Sequence, residues 1–204
     1  MKLVKVRWWM KWLYPGVVWQ YSGTEKVLYL TFDDGPVPEV TPKVLEILDR
    51  YSAQATFFSI GDNVSKHPDL FRLLSAAGHR TGHHGHRHLN AWKVPAKVYL
   101  KDVEEAAKLI PSELFRPPYG KLTWRVLFPL RRKYRIIMWD VISCDFDPQV
   151  SGEEVYRNVV EHAGPGSIVV FHDSLKAAPR MLEVLPRVLD YFKKQGYTFR
   201  TIPE

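Results

Sequence analysis

The chain has 204 residues and carries 29 Lys and Arg against 22 Asp and Glu, a formal net charge of +7 at pH 7. Its content of 46% hydrophobic and 25% charged residues is that of a globular protein and excludes intrinsic disorder, and the length favours a single domain. The lone cysteine, Cys144, excludes an intramolecular disulfide framework. The positive charge favours acidic partners, but no nucleic-acid-binding module is evident, so nucleic acid is not expected as a partner.

Residues 1–24 form a basic, aromatic segment with four of the seven tryptophans, and we separate them from a domain predicted over 25–204. Lys5, Arg7 and Lys11 interrupt any apolar core, so neither a cleavable signal peptide nor a transmembrane helix is expected, and the default location is cytoplasmic or peripheral to a membrane. Two interpretations remain open. The aromatic side chains pack over the domain, which we favour, or residues 1–20 contact a membrane surface.

Strand-like and helix-like stretches alternate through the rest of the chain. Strands are predicted at 27–32, 55–60, 79–84, 113–117, 134–142, 167–172 and 197–202, and helices at 41–51, 66–79, 96–109, 122–133, 151–163 and 177–195. Thr41, just before Pro42, is the expected N-cap of the first of these helices. The alternation predicts parallel βαβ units, arranged either as a small α/β barrel or as a doubly wound sheet. A glycine-rich fingerprint is absent after the first strand, which argues against dinucleotide binding.

Polar side chains follow five of the predicted strands at the point where each strand ends. The groups are Asp33-Asp34, His84 to His88, Arg116 to Gly120, Asp145, and His172-Asp173. An α/β barrel collects its active site at these strand ends, so the five groups are expected to converge. Adjacent aspartates on an extended chain point in different directions, and this predicts separate roles for Asp33 and Asp34.

The stretch GHRTGHHGHRHLN, residues 78–90, holds five of the eight histidines. Its spacing supports several incompatible ligand sets: His84 with His88, or His79 with His83, on a helical turn, and His84, His86 and His88 on a strand. One aspartate with two histidines is a common ligand set for catalytic zinc. The residues alone indicate a metal site and leave its histidines undecided.

Five motifs carry a resemblance to a known family. LTFDDGP (30–36), the histidine cluster, RPPYG (116–120), DF (145–146) and VVFHD (169–173) resemble, in order, the motifs of the polysaccharide deacetylases, the NodB-homology group of carbohydrate esterase family 4. The resemblance runs from about Leu28 to the C-terminus. It implies a single-domain α/β fold, a distorted parallel, TIM-like barrel of seven or eight β/α units. It also implies metal-dependent hydrolysis of N-acetyl or O-acetyl groups on a glycan such as peptidoglycan or a chitooligosaccharide.

The resemblance also implies roles for individual residues. The metal, zinc with cobalt or another divalent ion as alternatives, would be held by Asp34, His84 and His88. Asp33 resembles the general base that acts on metal-activated water, and Arg116 the residue that holds this base. His172 resembles the general acid, steadied by Asp145. The remaining roles are an oxyanion donor, the backbone N–H of Tyr119, and an acetyl pocket lined by Phe146, Val170, Pro117 and the Tyr119 ring. His79, His83 and His86 are then expected to be structural or exposed to solvent.

Three positions depart from the family's pattern: Gly85 replaces a Ser or Thr, Ile142 an acidic residue that is common there, and Phe146 a Trp. The loss of a hydroxyl at Gly85 could loosen the histidine loop. Two alternatives therefore stand beside glycan deacetylation. One is a deformylase or other amidase acting on a lipid-linked aminosugar, and the other is a catalytically weak glycan-binding protein. The sequence predicts no oligomeric state.

Overall fold

The fold, seen in a computed structural model that describes residues 4–203, is built from short strands alternating with helices. The strands are β1 (Val27–Asp33), β2 (Ala55–Ser59), β3 (Arg80–His83), β4 (Leu114–Phe115), β5 (Arg135–Ile136), β6 (Val141–Ile142), β7 (Ile168–His172) and β8 (Thr198–Phe199). The helices are α1 (Trp8–Trp12), α2 (Thr41–Arg50), α3 (Gly61–Lys66), α4 (Pro68–Ala76), α5 (Ala96–Leu109), α6 (Trp124–Leu130), α7 (Gly152–Val160) and α8 (Ala178–Lys194).

All strand pairs in the sheet are parallel, in the order β5-β4-β3-β2-β1-β7-β6, and β8 pairs with the start of β1. The register places Asp33 beside both Phe58 of β2 and His172 of β7, while Ser59 pairs with His83. The sheet curls into a half-barrel whose edge strands, β5 and β6, do not pair with each other. The predicted single-domain, TIM-like α/β barrel is confirmed, in an open form.

The strand predicted over 134–142 is wrong as one continuous element, because it divides into β5 and β6. Between them the chain crosses from one edge of the half-barrel to the other: Ile137 N donates to Phe115 O on one side, and Asp140 N donates to Ile168 O on the other. The N-terminal segment fills the opening between these edges, with single bridges from Lys5 to Val141 and from Val18 to Ile137. A run of apolar residues cannot reveal that its ends belong to opposite edges of one sheet.

The N-terminal tryptophans do not share one environment, so the favoured packing interpretation is correct for only one of the four. Trp19 is buried and packs with Val6 and Met138. Trp8 and Trp12 on α1 are 72% and 79% exposed, and Trp9 is also exposed. In the described part of the chain, no helix combines the length and the apolar character that crossing a bilayer requires.

Two helix predictions need correction. Thr41 is not an N-cap but the first residue of α2, and its buried hydroxyl accepts a hydrogen bond from Val37 N and donates one to Asp173. The short helix α3 follows β2 directly and was not predicted, because its sequence, GDNVSK, has too few apolar residues to show helical periodicity. The larger core lies where α2, α7 and α8 pack against the sheet, and it includes Leu30 and Phe171.

Candidate active site

The site begins at the carboxyl end of β1, where two aspartates turn in different directions. Asp33 is the last strand residue and is 3% exposed, whereas Asp34 has φ of 83°, in the left-handed region that few side chains adopt. The Nδ2 of Asn63, on α3, donates to Asp34 O at 2.7 Å and helps to hold this backbone. The strained turn therefore separates the two carboxylates, as the separate roles expected from the sequence require.

Asp34, His84 and His88 form the one group of potential metal ligands found within residues 4–203. One donor atom from each residue lies within 4.8 Å of the others. Asp34 Oδ1 lies 3.4 Å from His88 Nε2 and has no hydrogen-bond partner among the described residues, although it is buried. Carboxylate and imidazole donors at this spacing suit a divalent ion such as zinc and leave coordination positions open.

The two histidines are prepared to bind as neutral ligands. His84 Nδ1 lies 2.7 Å from Arg116 O, a contact that requires a proton on Nδ1 and leaves the lone pair on Nε2. Burial lowers the pKa of His84 to about 3. Burial likewise lowers the pKa of His88 and raises the pKa of Asp34, which shifts the preference of each group toward its uncharged form. A bound cation would reverse this preference for Asp34.

Asp33 is held by a fully buried arginine. Arg116 Nη1 donates to Asp33 Oδ1 at 2.7 Å, and the other Asp33 oxygen, Oδ2, lies 3.9 Å from His84 Nε2. Burial alone would raise the pKa of Asp33, but the charge and hydrogen bond of Arg116 lower it below its usual value. The carboxylate therefore remains ionised beside the ligand group.

A second buried pair lies across the site at the end of β7. His172 Nδ1 is 2.7 Å from Asp145 Oδ1, and the backbone N–H of His172 donates to Asp145 Oδ2 at 2.8 Å. Burial opposes the charged imidazolium, but the charge and hydrogen bond of Asp145 outweigh it and raise the pKa of His172 to about 9. At neutral pH the imidazole is therefore protonated, and Nε2 is the position from which a proton can leave.

These groups face a cavity of about 510 Å³. Of the eleven predicted site residues, nine line it: Asp33, Asp34, His84, His88, Pro117, Tyr119, Phe146, Val170 and His172. The other two, Arg116 and Asp145, are fully buried behind it and hold Asp33 and His172. The structure thus brings together every residue named from the sequence.

Tyr119 also has a left-handed backbone, with φ of 60°, and its side chain is 57% exposed at the mouth of the cavity. The next residue, Gly120, permits a close approach, because a Cβ there would lie 2.4 Å from the ring of Trp139. Trp139 and Ile142 complete the apolar wall opposite the ligands. Trp139 is therefore a cavity residue.

The three remaining histidines of the cluster lie outside the ligand group, as the sequence predicted for their structural roles. His79 is buried, and its Nδ1 accepts from Ala55 N at 3.3 Å. His83 is fully buried between the rings of Phe115 and Tyr134. His86 is half-buried beneath the start of α3.

Sequence reasoning missed the residues that brace the histidine loop. Asp102 on α5 is 1% exposed and accepts from the backbone N–H groups of His86 and Arg87 and from the Arg87 side chain. The first N–H group of α3, on Gly61, donates to Gly85 O at 2.9 Å. A Cβ at Gly85, where φ is +74°, would lie 3.0 Å from the Asp102 carboxylate. The loop is therefore firmly held without the hydroxyl that Gly85 lacks.

Asp173 braces the other loop, and here the sequence offered a signal, since this residue follows His172 in the VVFHD motif. Its carboxylate accepts from Gly35 N at 3.0 Å and from Thr41 Oγ1 at 2.6 Å. A Cβ at position 35 would lie 2.0 Å from Asp173 Oδ2, which explains why glycine follows the two aspartates. Two buried carboxylates, Asp102 and Asp173, thus fix the loops that carry the candidate ligands.

Comparisons with known proteins agree with this geometry. A family model described as "Polysaccharide deacetylase" matches residues 20–133. The chain is 34% identical over 195 residues to a peptidoglycan-N-acetylglucosamine deacetylase of Bacillus cereus, covering 92% of both chains. It is 31% identical over 190 residues to the peptidoglycan-N-acetylmuramic acid deacetylase PdaA of Bacillus subtilis, covering 88% of this chain and 71% of that one.

A solved structure extends the likeness to three dimensions. The crystal structure of the Bc1960 peptidoglycan N-acetylglucosamine deacetylase superposes with a TM-score of 0.88 at 27% sequence identity, over 95% of this chain and 94% of that one. The family match covers more than half of the chain, and the Bacillus cereus relative is matched almost end to end. The chain therefore belongs to the polysaccharide deacetylases, the NodB-homology group of carbohydrate esterase family 4.

Proposed function

We propose that this protein removes N-acetyl groups from an amino-sugar polymer of the peptidoglycan or chitooligosaccharide type, with the help of a divalent metal ion. Family membership makes the chain a deacetylase that acts on amide bonds. One observation carries the proposal: an ionised carboxylate and a protonated imidazole, each fixed by a buried partner, face one cavity beside three potential metal ligands.

Asp34, His84 and His88 would hold the ion, and zinc suits this donor set. When bound, a divalent ion polarises an acyl oxygen and acidifies water. The chain contributes the orientation of its donors. The proton that His84 donates to Arg116 O fixes the ring with Nε2 toward Asp33 and the cavity, and Asp102 holds the loop between the two histidines.

Asp33 is the proposed general base. Arg116 occupies its Oδ1, so Oδ2 is the oxygen that can accept a proton from the attacking water. The depressed pKa keeps the carboxylate ionised at neutral pH. Water then adds to the carbonyl carbon of the N-acetyl group, and its proton passes to Asp33.

His172 is the proposed general acid. Its Nδ1 is engaged by Asp145, so Nε2 carries the proton that the departing nitrogen needs when the C–N bond breaks. The products are acetate and a free amine on the sugar. The raised pKa keeps His172 protonated at neutral pH, which suits a group that must donate rather than accept.

The acyl group has a matching pocket. Phe146 and Val170 provide apolar surface beside His172, and the ring centroids of Phe146 and His172 are 5.0 Å apart. The Tyr119 N–H is the proposed oxyanion donor. A single donor of this kind is worth about 3 kcal/mol of transition-state stabilisation in other oxyanion holes.

The two alternative functions, glycan binding without catalysis and action on a lipid-linked aminosugar, differ in their support. A protein that merely binds glycan would have been favoured by a loosened histidine loop, whereas Asp102 and α3 hold this loop firmly. Action on a lipid-linked aminosugar keeps the same chemistry. An apolar cavity beside the site, lined by Trp9, Leu13 and Trp92, favours it as the second candidate.

The test is acetate release from chitooligosaccharides and from peptidoglycan fragments, with chelator and with added zinc or cobalt. We expect turnover that requires metal, and loss of a general base should lower it by about 100-fold or more in Asp33→Asn. Asp34→Asn should lose both turnover and metal, whereas Asp33→Asn should retain metal. Asp69→Asn, an exposed change on α4, is the matched control.

The result that overturns the proposal is metal-loaded wild-type protein that releases no acyl group from any of these glycans. Release of formate from a lipid-linked aminosugar, with no acetate from glycans, would favour the second candidate. If His86→Ala loses the ion and His84→Ala does not, the ligand set is wrong.

A further inference from the structure

Large apolar side chains are exposed on α1 and α6, next to the mouth of the active site. Trp8, Trp12 and Leu13 are 72%, 79% and 50% exposed, and Trp124 and Phe128 are 51% and 44% exposed. We call these five residues the aromatic surface. Exposed apolar side chains grouped in this way mark an interaction site, because single ones are ordinary but a cluster costs solubility.

The two helices that carry the aromatic surface meet through direct contacts. Tyr14, just after α1, stacks on Trp124 with ring centroids 6.4 Å apart, and Trp124 lies 5.6 Å from Phe128. Arg131 ties the far end of α6 to the same segment, with Nη1 donating to Pro15 O. The two segments that carry the aromatic surface, 8–13 and 124–128, therefore adjoin through Tyr14 and Arg131.

The two stretches of sequence that carry the aromatic surface have charge of one sign. Residues 4–24 contain three basic side chains and residues 117–133 contain five, and neither stretch contains an Asp or Glu. Lys5 and Lys11 lie near Asp140, and Lys133 pairs with Glu104. The other five form no ion pair within residues 4–203: Arg7, Lys121, Arg125, Arg131 and Arg132. Arg131 lies 4.5 Å over the Phe128 ring, so cation and apolar group share one site.

The aromatic surface leads into the catalytic cavity. A second cavity of about 520 Å³ lies between them and is lined by Trp9 and Leu13 on one side and by Trp139 and Phe146 on the other. Tyr119, Trp139 and Phe146 line both cavities. A partner that binds the aromatic surface therefore also lies next to the mouth of the active site.

We propose that the aromatic surface docks on an anionic phospholipid bilayer and places the active-site mouth against it. Tryptophan at the level of the headgroups, aliphatic side chains below it and cations toward lipid phosphates form the pattern by which proteins attach to such a surface. The two stretches that carry the aromatic surface contain eight cations and no Asp or Glu, and the amide oxygen of Gln20 there accepts from Lys11, so the charge favours an anionic bilayer over a neutral glycan. The inference goes beyond deacetylation and does not depend on it.

The test is co-sedimentation of the full chain with vesicles of phosphatidylcholine mixed with phosphatidylglycerol, compared with vesicles of phosphatidylcholine alone. We expect binding to the mixed vesicles that falls as salt rises. Trp8→Ser with Trp12→Ser should abolish it. Arg7→Gln and Arg125→Gln should each weaken it about fivefold, since one cation near an anionic surface is worth about 1 kcal/mol.

Matched controls lie on helices away from the aromatic surface. Leu73→Ser on α4 removes an exposed leucine, and Lys43→Gln with Arg50→Gln on α2 removes two cations, so both should bind as wild type does. Acetate release from a soluble chitooligosaccharide should stay unchanged in every variant, which keeps this test separate from that of the proposed function. Wild-type binding retained by the tryptophan variant, equal binding to both vesicles, or release of the protein by soluble glycan would overturn the proposal.

Discussion

Arg116 offers the most direct test of how the site is held together, and the informative change is Arg116→Met. The guanidinium is completely buried and donates four hydrogen bonds: to Ile137 O at 3.2 Å, Met138 O at 2.9 Å, Thr31 Oγ1 at 2.7 Å and Asp33 Oδ1 at 2.7 Å. Methionine fills part of the volume and satisfies none of these acceptors. Asp33 would then be a buried carboxylate without its cation.

Breaking a buried ion pair by removing one partner costs about 3–5 kcal/mol, because the other charge stays desolvated. A chain of this length loses roughly 2–4 °C of Tm per kcal/mol. We therefore expect Arg116→Met to lower Tm by about 6–20 °C. The loss should be smaller in Asp33→Asn with Arg116→Met, because the double variant removes both charges.

The stability that Arg116→Met loses should depend on pH in a defined direction. In the wild type the folded-state pKa of Asp33 lies below its unfolded value, so the pair stabilises the fold above about pH 4 and this contribution is lost as pH falls through the folded-state pKa. In Arg116→Met burial still raises the pKa of Asp33 while the charge and hydrogen bond of Arg116 no longer lower it, so the folded-state pKa should rise relative to wild type. The deficit relative to wild type should therefore grow as pH rises from 4 to 7.

The measurement is guanidinium unfolding of both proteins at the two pH values, in chelator so that metal does not contribute. If the free energy of unfolding of Arg116→Met is less than about 1 kcal/mol below that of wild type at neutral pH, the pair contributes no more than an exposed ion pair. This result would refute the assignment of a buried, stabilising Arg116–Asp33 pair. So would a deficit that is the same at both pH values, because Asp33 would then not be the group left without its partner.

Three further outcomes follow from the site. Asp145→Asn should move the alkaline limb of the pH–activity profile to lower pH. His172, with its pKa raised to about 9, must be protonated to act as the acid, and the variant removes the Asp145 charge that raises this pKa. An alkaline limb that stays in place would exclude His172 as the acid. Asp102→Ala should weaken zinc binding about 10–100-fold by freeing the loop 84–88, measured by chelator competition, and Asp102→Asn should restore part of it. Zinc should raise the Tm of wild type and leave that of Asp34→Asn unchanged, and an equal rise in both would place the ion elsewhere.

The convergence of the polar groups could be predicted from the strand order, whereas the roles of single residues, such as Phe146 and Val170 in the acetyl pocket, came from the family resemblance. Parallel strands bring their carboxyl ends to one edge, so Asp33 and His172 were expected at the same edge, and the pairing of β1 with β7 then makes them direct neighbours. The choice of His84 and His88 came from resemblance rather than spacing, since the histidine cluster allowed several ligand sets. In the structure His88 has a left-handed backbone conformation that places its ring beside His84, and the local sequence does not predict this conformation.

The supporting residues could not be predicted in the same way. Asp102 lies on α5, which is separated from the histidine loop by a turn, and nothing in its local pattern distinguishes it from an exposed helical acid. Asn63 and Gly61 belong to α3, which contacts both loops that carry the candidate ligands. Residues that act through tertiary hydrogen bonds leave little trace in local periodicity.

The N-terminal segment is joined to Asp33 by a short series of hydrogen bonds. Val18 O accepts from Met138 N at 2.8 Å, Met138 O accepts from Arg116 Nη2 at 2.9 Å, and Arg116 holds Asp33. Three hydrogen bonds thus connect the backbone behind α1 to Asp33 Oδ1, the carboxylate oxygen to which Arg116 Nη1 donates. The segment that precedes the barrel is therefore part of the support of Asp33, so a change at Val18 is expected to affect this carboxylate as well as the stability of the fold.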